Sequence, residues 1–157
     1  MKLTSLCYLE RDGQYLMLHR TKKKNDVNHD KWLGVGGKFE QDESPEDCMR
    51  REIFEETGFT VKAWRYRGLV TFVSDSAETE YMHLFTVTDW TGQQQLCDEG
   101  ELAWIEKSRL RELTLWEGDR IFLRLIHESD TAFFSLKLRY EGEHLAYAAL
   151  NGKELAR

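Results

Sequence analysis

Proline is almost absent from this 157-residue chain, with Pro45 its one example. That excludes a proline-rich linker or tail, and the single ring must sit where its fixed φ and missing N–H are tolerated. Cysteine is also scarce. Cys7, Cys48 and Cys97 are odd in number, widely spaced and without C-x-x-C spacing, which argues against a disulfide framework and a zinc site. Cys48 reads as a reduced, packed thiol. No apolar run nears the roughly 18 residues of a membrane span, and Met1-Lys2-Leu3-Thr4 opens no signal-peptide apolar region. Positive charge is in deficit: 22 Lys and Arg against 28 Asp and Glu leave a net charge of −6. Long nucleic acid is bound largely through basic phosphate contacts, so no nucleic-acid polymer and no membrane is the expected partner. A small polyphosphate remains compatible with an acidic protein if a cation carries the positive charge. The sequence also lacks internal repeats, low-complexity segments and linkers. What remains is 41% hydrophobic and 32% charged, ordinary for a globular protein. The expectation is a cytoplasmic enzyme forming one domain over residues 1–157, large enough to bury a core. The sequence is silent on oligomeric state.

Residues 3–9 and 15–19 read as strands around the turn signal Asp12-Gly13. A polar stretch over 21–31 follows, with a basic run at Lys22-Lys23-Lys24 that is either a solvated loop or a set of cations near phosphate. Gly34, Gly36 and Gly37 fall within 32–39, where the backbone can turn tightly or approach a ligand. A helix is predicted over 45–57. Ser44 can cap it, Pro45 suits its first position, Glu46 and Asp47 favour its N-terminal dipole, and Gly58 closes it. Strands follow at 61–73, 80–87 and 102–105, then a helix over 120–127 with Ile121, Phe122, Leu125 and Ile126 buried. A hairpin over 132–140 and 144–150 ends the chain. Strands interleaved with two helices predict an α+β fold with a mixed β-sheet sandwiched between helices.

One spaced pattern is richer than the rest: Gly37-x5-Glu43-x7-Arg51-Glu52-Ile53-x-Glu55-Glu56-x-Gly58-Phe59. Its seven charged or glycine positions would coincide by chance on the order of once in 10⁹ starts at ordinary residue usage. On the predicted helix Glu52, Glu55 and Glu56 lie at i, i+3 and i+4, on one face, with Ile53 and Phe54 turned toward the core. Like charges so placed cost about 0.2–0.5 kcal/mol per pair, and they sit where the helix dipole disfavours anions. Arg51 relieves part of this by pairing with Glu55 at i+4. Several carboxylates beside a glycine-rich turn suit a hard cation such as Mg²⁺, which binds oxygen and takes phosphates as further ligands.

The pattern matches every fixed position of the Nudix box, and the chain resembles the Nudix hydrolases. The resemblance implies an α/β/α sandwich and cleavage of a nucleoside diphosphate linked to another group, with Mg²⁺ or Mn²⁺. It implies that Glu52, Glu55 and Glu56 bind metal, Glu52 also being a candidate base. Gly36 would offer its backbone carbonyl. Arg51 and Glu43 would orient the loop and helix. A further acid from a later loop often completes such sites, and Glu99 resembles it, with a solvated loop acid the alternative.

Outside the box the chain most resembles the MutT-like branch acting on oxidised purine nucleoside triphosphates such as 8-oxo-dGTP. Trp116 and Asp119, in Trp116-Glu117-Gly118-Asp119, would stack on a purine and accept a hydrogen bond from its edge. The residues themselves leave two alternatives, Trp116 as core and Asp119 as the N-cap of the second helix. Leu33, among the substrate-binding positions, cannot hydrogen-bond to a base where some relatives carry Asn, and Gly118 supplies no side chain where some carry a second acid. Arg20, Lys22, Lys23 and Lys38 are candidate phosphate contacts. The expected reaction is Mg²⁺-dependent cleavage between the α and β phosphorus atoms to a monophosphate and pyrophosphate, cleansing the nucleotide pool. Alternatives are another diphosphate compound (ADP-ribose, a dinucleoside polyphosphate, a nucleotide sugar) or a nucleotide-sensing module without catalysis.

Overall fold

The computed structural model describes residues 1–22, 25–26 and 28–156. Its elements run β1 (Lys2–Arg11), β2 (Gln14–Arg20), β3 (Trp32–Leu33), β4 (Val35–Lys38), α1 (Pro45–Thr57), β5 (Thr60–Ser74), β6 (Glu80–Thr91) and β7 (Gly100–Glu106). A 3₁₀ turn (Lys107–Glu112), α2 (Glu117–His127), β8 (Phe134–Glu141), β9 (His144–Leu150) and β10 (Lys153–Glu154) complete it. The strands form a mixed sheet in the order β10-β9-β8-β5-β6-β1-β2-β3, with β4 paired to β1 and β7 to β2. β1 runs parallel to β6 and antiparallel to β4. β5 runs antiparallel to β6 and parallel to β8.

β1 is covered on both faces, so Thr4 through Leu9 are all buried instead of alternating. Cys7 and Leu9 pack with Met49 and Ile53 of α1. Leu6 and Tyr8 pack with Phe122, Leu123 and Ile126 of α2, on a floor supplied largely by β8 and β9. These two cores make the expected α+β sandwich.

Local chemistry explains the boundaries. Asp12 and Gly13 both have positive φ, 53° and 76°, as a two-residue hairpin turn needs. At the start of α1, Ser44 Oγ accepts from the Asp47 N–H and the Asp47 carboxylate accepts from the Ser44 N–H, both at 3.0 Å, which is a reciprocal cap. At its end Gly58, at φ 84°, donates its N–H to the Phe54 carbonyl. Two expectations change. Phe54 is 57% exposed and Ile53 fully buried, because successive helical side chains diverge by about 100° and only the Met49–Ile53 side faces the sheet. α2 begins at Glu117, so Asp119 lies inside its first turn and is not its N-cap.

The glycines of 34–37 also play a different part from a tight turn. They lie on or beside β4, and a Cβ on Gly36 would stand 1.9 Å from the Ser5 carbonyl oxygen of β1. One on Gly37 would stand 2.5 Å from the Glu52 carboxylate. Glycine here lets β4 lie against β1 on one side and α1 on the other.

Candidate active site

β4 and α1 bring the acidic helix face against the sheet edge, and Arg51 organises it. Its Nε and Nη2 donate to the two oxygens of Glu43 at 2.7 and 2.9 Å, a bidentate pair. Nη2 also donates to the Lys38 carbonyl at 2.9 Å. Nη1 donates to Glu52 at 2.9 Å and to Glu55 at 3.0 Å. Hydrogen bonding to Arg51 draws the Glu43 carboxyl below its usual range, and the same bond holds the guanidinium charged. Arg51 thus ties the loop before α1 to the end of β4 and to two helix carboxylates.

The three helix acids share a face but differ in environment. The Glu55 side chain is 52% exposed, that of Glu52 15%, and Glu56 is buried. Burial lifts the Glu52 carboxyl above its ordinary value. Burial lifts Glu56 much further, reinforced by a hydrogen bond to Glu99 and the charges of Glu99 and Glu52. A hydrogen bond between two carboxyls requires a proton on one of them. The other oxygen of Glu56, Oε2, is buried with no partner. An orphaned carboxylate oxygen beside a second carboxylate is an oxygen-only donor set that suits a hard divalent cation, which would take the place of the proton. Glu52, Glu55, Glu56, Glu99 and the Gly36 carbonyl are the groups that would hold it. Among the described residues no three acidic, histidine or cysteine side chains converge to ligating distance. Adjacent carboxylates repel, and the Arg51 guanidinium is the nearest positive charge for Glu52 and Glu55 to face.

A cavity of about 840 Å³ runs from this cluster across the end of β1. Glu52, Glu99, Gly36, Gly37, Lys38 and Arg20 line one part. Arg20 pairs with Asp26 at 2.8 Å and approaches Glu99 at 3.7 Å. Lys22 lies outside the lining and donates instead to the Cys97 carbonyl at 2.9 Å, bracing the loop that carries Glu99. Lys23 falls outside the described residues.

The other part is a chamber on the α2 face of the sheet, walled by Leu33, Phe72, Met82 and Trp116. Trp116 belongs to the core and also lines the cavity. Its indole N–H donates to Asn28 Oδ1 at 2.8 Å, and Lys31 Nζ sits 4.6 Å from its ring centre while paired with Glu143. Asp119 is 3% exposed and lines the chamber. Burial raises its carboxyl from 3.8 to about 8, with the charge of Glu80 adding to the effect. Asn28, Lys31, Phe72, Glu80 and Met82 were not singled out from sequence. Glu80 alone left a signal there, an acid two and four residues before the apolar Met82 and Leu84 on the same strand face.

A family model described as the NUDIX domain matches residues 3–126. The chain belongs to the Nudix hydrolase family. Nudix hydrolases act on phosphoric anhydride bonds in nucleotide substrates and generally use divalent cations. The chain is 30% identical over 127 residues to an oxidized purine nucleoside triphosphate hydrolase from Danio rerio, covering 80% of this chain and 79% of the relative. It is 31% identical over 118 residues to the uncharacterized Nudix hydrolase YvcI of Bacillus subtilis (strain 168), covering 72% and 71%. A crystal structure of a mutator MutT protein from Bacillus halodurans superposes with a TM-score of 0.85 at 24% identity, covering 96% of this chain and 98% of that one. That likeness carries the Nudix fold through β8 and β9, beyond the reach of the family model. Among the described residues, no helix is long and apolar enough to cross a membrane.

Proposed function

We propose that this Nudix hydrolase is a cytoplasmic, Mg²⁺-dependent pyrophosphohydrolase of purine nucleoside triphosphates, with oxidised purines such as 8-oxo-dGTP its preferred substrates. Water would add to phosphorus, the bridge between the α and β phosphorus atoms would break, and a monophosphate and pyrophosphate would leave. The observation that carries this reading is the continuity of the cavity, which joins the Glu52–Glu99 end to the chamber of Trp116 and Asp119. A triphosphate at one end sets its base at the other.

Each residue has a part in this reading. Glu52, Glu55, Glu56, Glu99 and the Gly36 carbonyl would hold the cation, which would neutralise phosphate charge and supply Lewis acidity. Glu52, half-buried against Gly37, accepts the proton of the attacking water. Glu43 and Arg51 hold the acidic face in place. Lys38 and Arg20 face the phosphates. Leu33 contributes an apolar wall, Trp116 an aromatic face and Asp119 the polar contact to the ring edge. The Asp119 carboxyl lines the chamber, where a ring N–H is a complement it can accept. The relative from Danio rerio, named for oxidised purine nucleoside triphosphates, supports the same substrate class.

A panel of normal and oxidised nucleoside triphosphates, ADP-ribose and dinucleoside polyphosphates, assayed with and without Mg²⁺, tests the proposal. The expected result is cation-dependent release of pyrophosphate, with an oxidised purine triphosphate highest in kcat/KM. Preference for ADP-ribose by orders of magnitude would overturn the substrate assignment and leave the family untouched. Glu56→Gln should lower turnover by more than the roughly 10–100-fold that loss of an outer-shell partner costs. Wild-type turnover in that variant would remove Glu56 from the metal site.

A further inference from the structure

The base chamber holds a second acid, and it does not come from α2. Gly118 cannot supply it. A Cβ there would stand 2.4 Å from Leu138 Cδ1 and 2.7 Å from the Tyr140 hydroxyl, and its own N–H already donates to that hydroxyl at 2.7 Å. The helix lies on β8 where a side chain would have to leave.

Glu80 opens β6 across the chamber, in register with Lys2 of β1 and Phe72 of β5. It shares its strand face with Met82 and Leu84, which pack on the α2 side. Its carboxyl is held from two sides. Thr4 Oγ1 donates to Oε2 at 2.7 Å, and Lys2 Nζ lies 3.6 Å from Oε1. The side chain is 23% exposed, and Glu80, Thr4 and Asp119 line the same cavity. Thr4 satisfies one oxygen with a short bond, while the lysine contact to the other is longer than a hydrogen bond.

We propose that Glu80 is a specificity-determining residue, forming with Asp119 a two-acid edge that selects purines bearing an amino group at position 2. Such an edge presupposes the proposed function, in which the chamber takes the base. A 2-amino-6-oxopurine presents in sequence an acceptor at O6, a donor at N1–H and donors at the 2-amino group. A carboxyl that retains its proton, as burial favours for Asp119, both donates to O6 and accepts from N1–H. The Glu80 carboxylate, an acceptor only, then takes the 2-amino group. A purine lacking that amino group turns C–H toward the carboxylate and leaves it without its partner. Sites built to hydrogen-bond a group reject analogues lacking it for this reason.

dGTP and dITP differ only in the 2-amino group and supply the test. Wild-type enzyme is expected to favour dGTP by about 10-fold or more in kcat/KM, through KM, as loss of a charge-assisted hydrogen bond predicts. Glu80→Ala should bring the ratio within about 3-fold, chiefly by raising KM for dGTP. Glu80→Gln, which keeps an oxygen for Thr4, should fall between, and it supplies the readout if Glu80→Ala does not fold. A wild-type ratio near one, or a wild-type ratio retained in both variants, overturns the assignment. Calorimetric binding of dGMP and dIMP without metal gives the same comparison with no turnover. A dGMP preference that depends on Glu80 supports the two-acid edge even if triphosphate hydrolysis fails. Triphosphate hydrolysis that is indifferent to the 2-amino group overturns the edge and spares the proposed reaction.

Discussion

Arg51 donates to Glu43, Glu52, Glu55 and the Lys38 carbonyl, and the Glu43 pair alone takes two of its N–H groups. A lysine has neither the planar fork nor the span to reproduce that set. Arg51→Lys is therefore expected to lose about 1.5–3 kcal/mol of stability in urea titration, the range for hydrogen bonds to charged groups. It should also lose at least as large a factor in kcat as in kcat/KM, because in the proposed reaction the displaced groups act on the reacting phosphates. Unchanged urea midpoints would show the network to be redundant. Asp119 gives a pH-dependent prediction. Below its ordinary value of 3.8 the carboxyl is protonated folded or unfolded, and between there and about 8 only the folded protein keeps the proton. The stability it contributes is fully present below the unfolded value and is lost as pH rises through about 8. Asp119→Asn holds no titrating proton, so its melting temperature should gain on wild type steadily from about pH 5 to about pH 8.5. Parallel melting curves across that range would count against the buried carboxyl. This behaviour was not legible in the sequence, where Asp119 looked equally like a helix cap. Its burial comes only when α2 packs on the sheet, where it lines a cavity with Thr4, Glu80 and Trp116.

Elements were legible where their signals are local. α1 was readable to its ends because Ser44, Pro45 and Gly58 act on their own backbone. The β1–β2 turn was readable because Asp-Gly supplies two positive-φ residues. The same signal at Asn151-Gly152, with φ of 51° and 82°, marks the turn into β10, and β10 was overlooked only because it is two residues long. β3 and β4 were not legible, since a strand holding Gly36 and Gly37 has no hydrophobic alternation to read. Its identity comes from pairing with β1. The early start of α2 had no cap to announce it, and Gly118 reads as a helix breaker until its neighbours are known. Gly118→Ala tests that account at the scale of the element. A better helix former normally stabilises a helix, but here the methyl would displace Leu138 and Tyr140. A net loss of about 1–3 kcal/mol is expected from this overpacking, read from urea midpoints, whereas a net gain would show that β8 can yield.

At the scale of the whole molecule the sequence motif located half of the cavity. The acidic end could be written down because its residues fall within one loop and one helix. Of the chamber only Leu33, Trp116 and Asp119 could be named, through the family resemblance, because Phe72, Glu80 and Met82 meet them only when β3, β5, β6 and α2 assemble. Assembly also bears on the expectation that residues 1–157 form one domain. The family match ends at residue 126, yet Leu136, Leu138, Tyr140, Leu145 and Ala148 lie in the core beneath α2. Deleting residues 128–157 is expected to abolish cooperative thermal unfolding instead of leaving a smaller folded unit. A sharp transition in the truncated chain would divide the domain in two.

β1 carries one further consequence. Its even-numbered residues, Thr4, Leu6 and Tyr8, look toward α2 and the chamber of Trp116, while Ser5, Cys7 and Leu9 look toward α1 with its acidic face. Two tasks are thus written on one strand in alternate letters. Under the proposed function, selection could rewrite the letters that face the chamber and leave those that face α1 intact, so a new substrate preference could be acquired without relearning how to break the bond. A library varied only at Thr4, Glu80 and Met82 should yield altered base preference at conserved turnover. One varied at Ser5 and Cys7 should yield loss of fold or of rate without new preference.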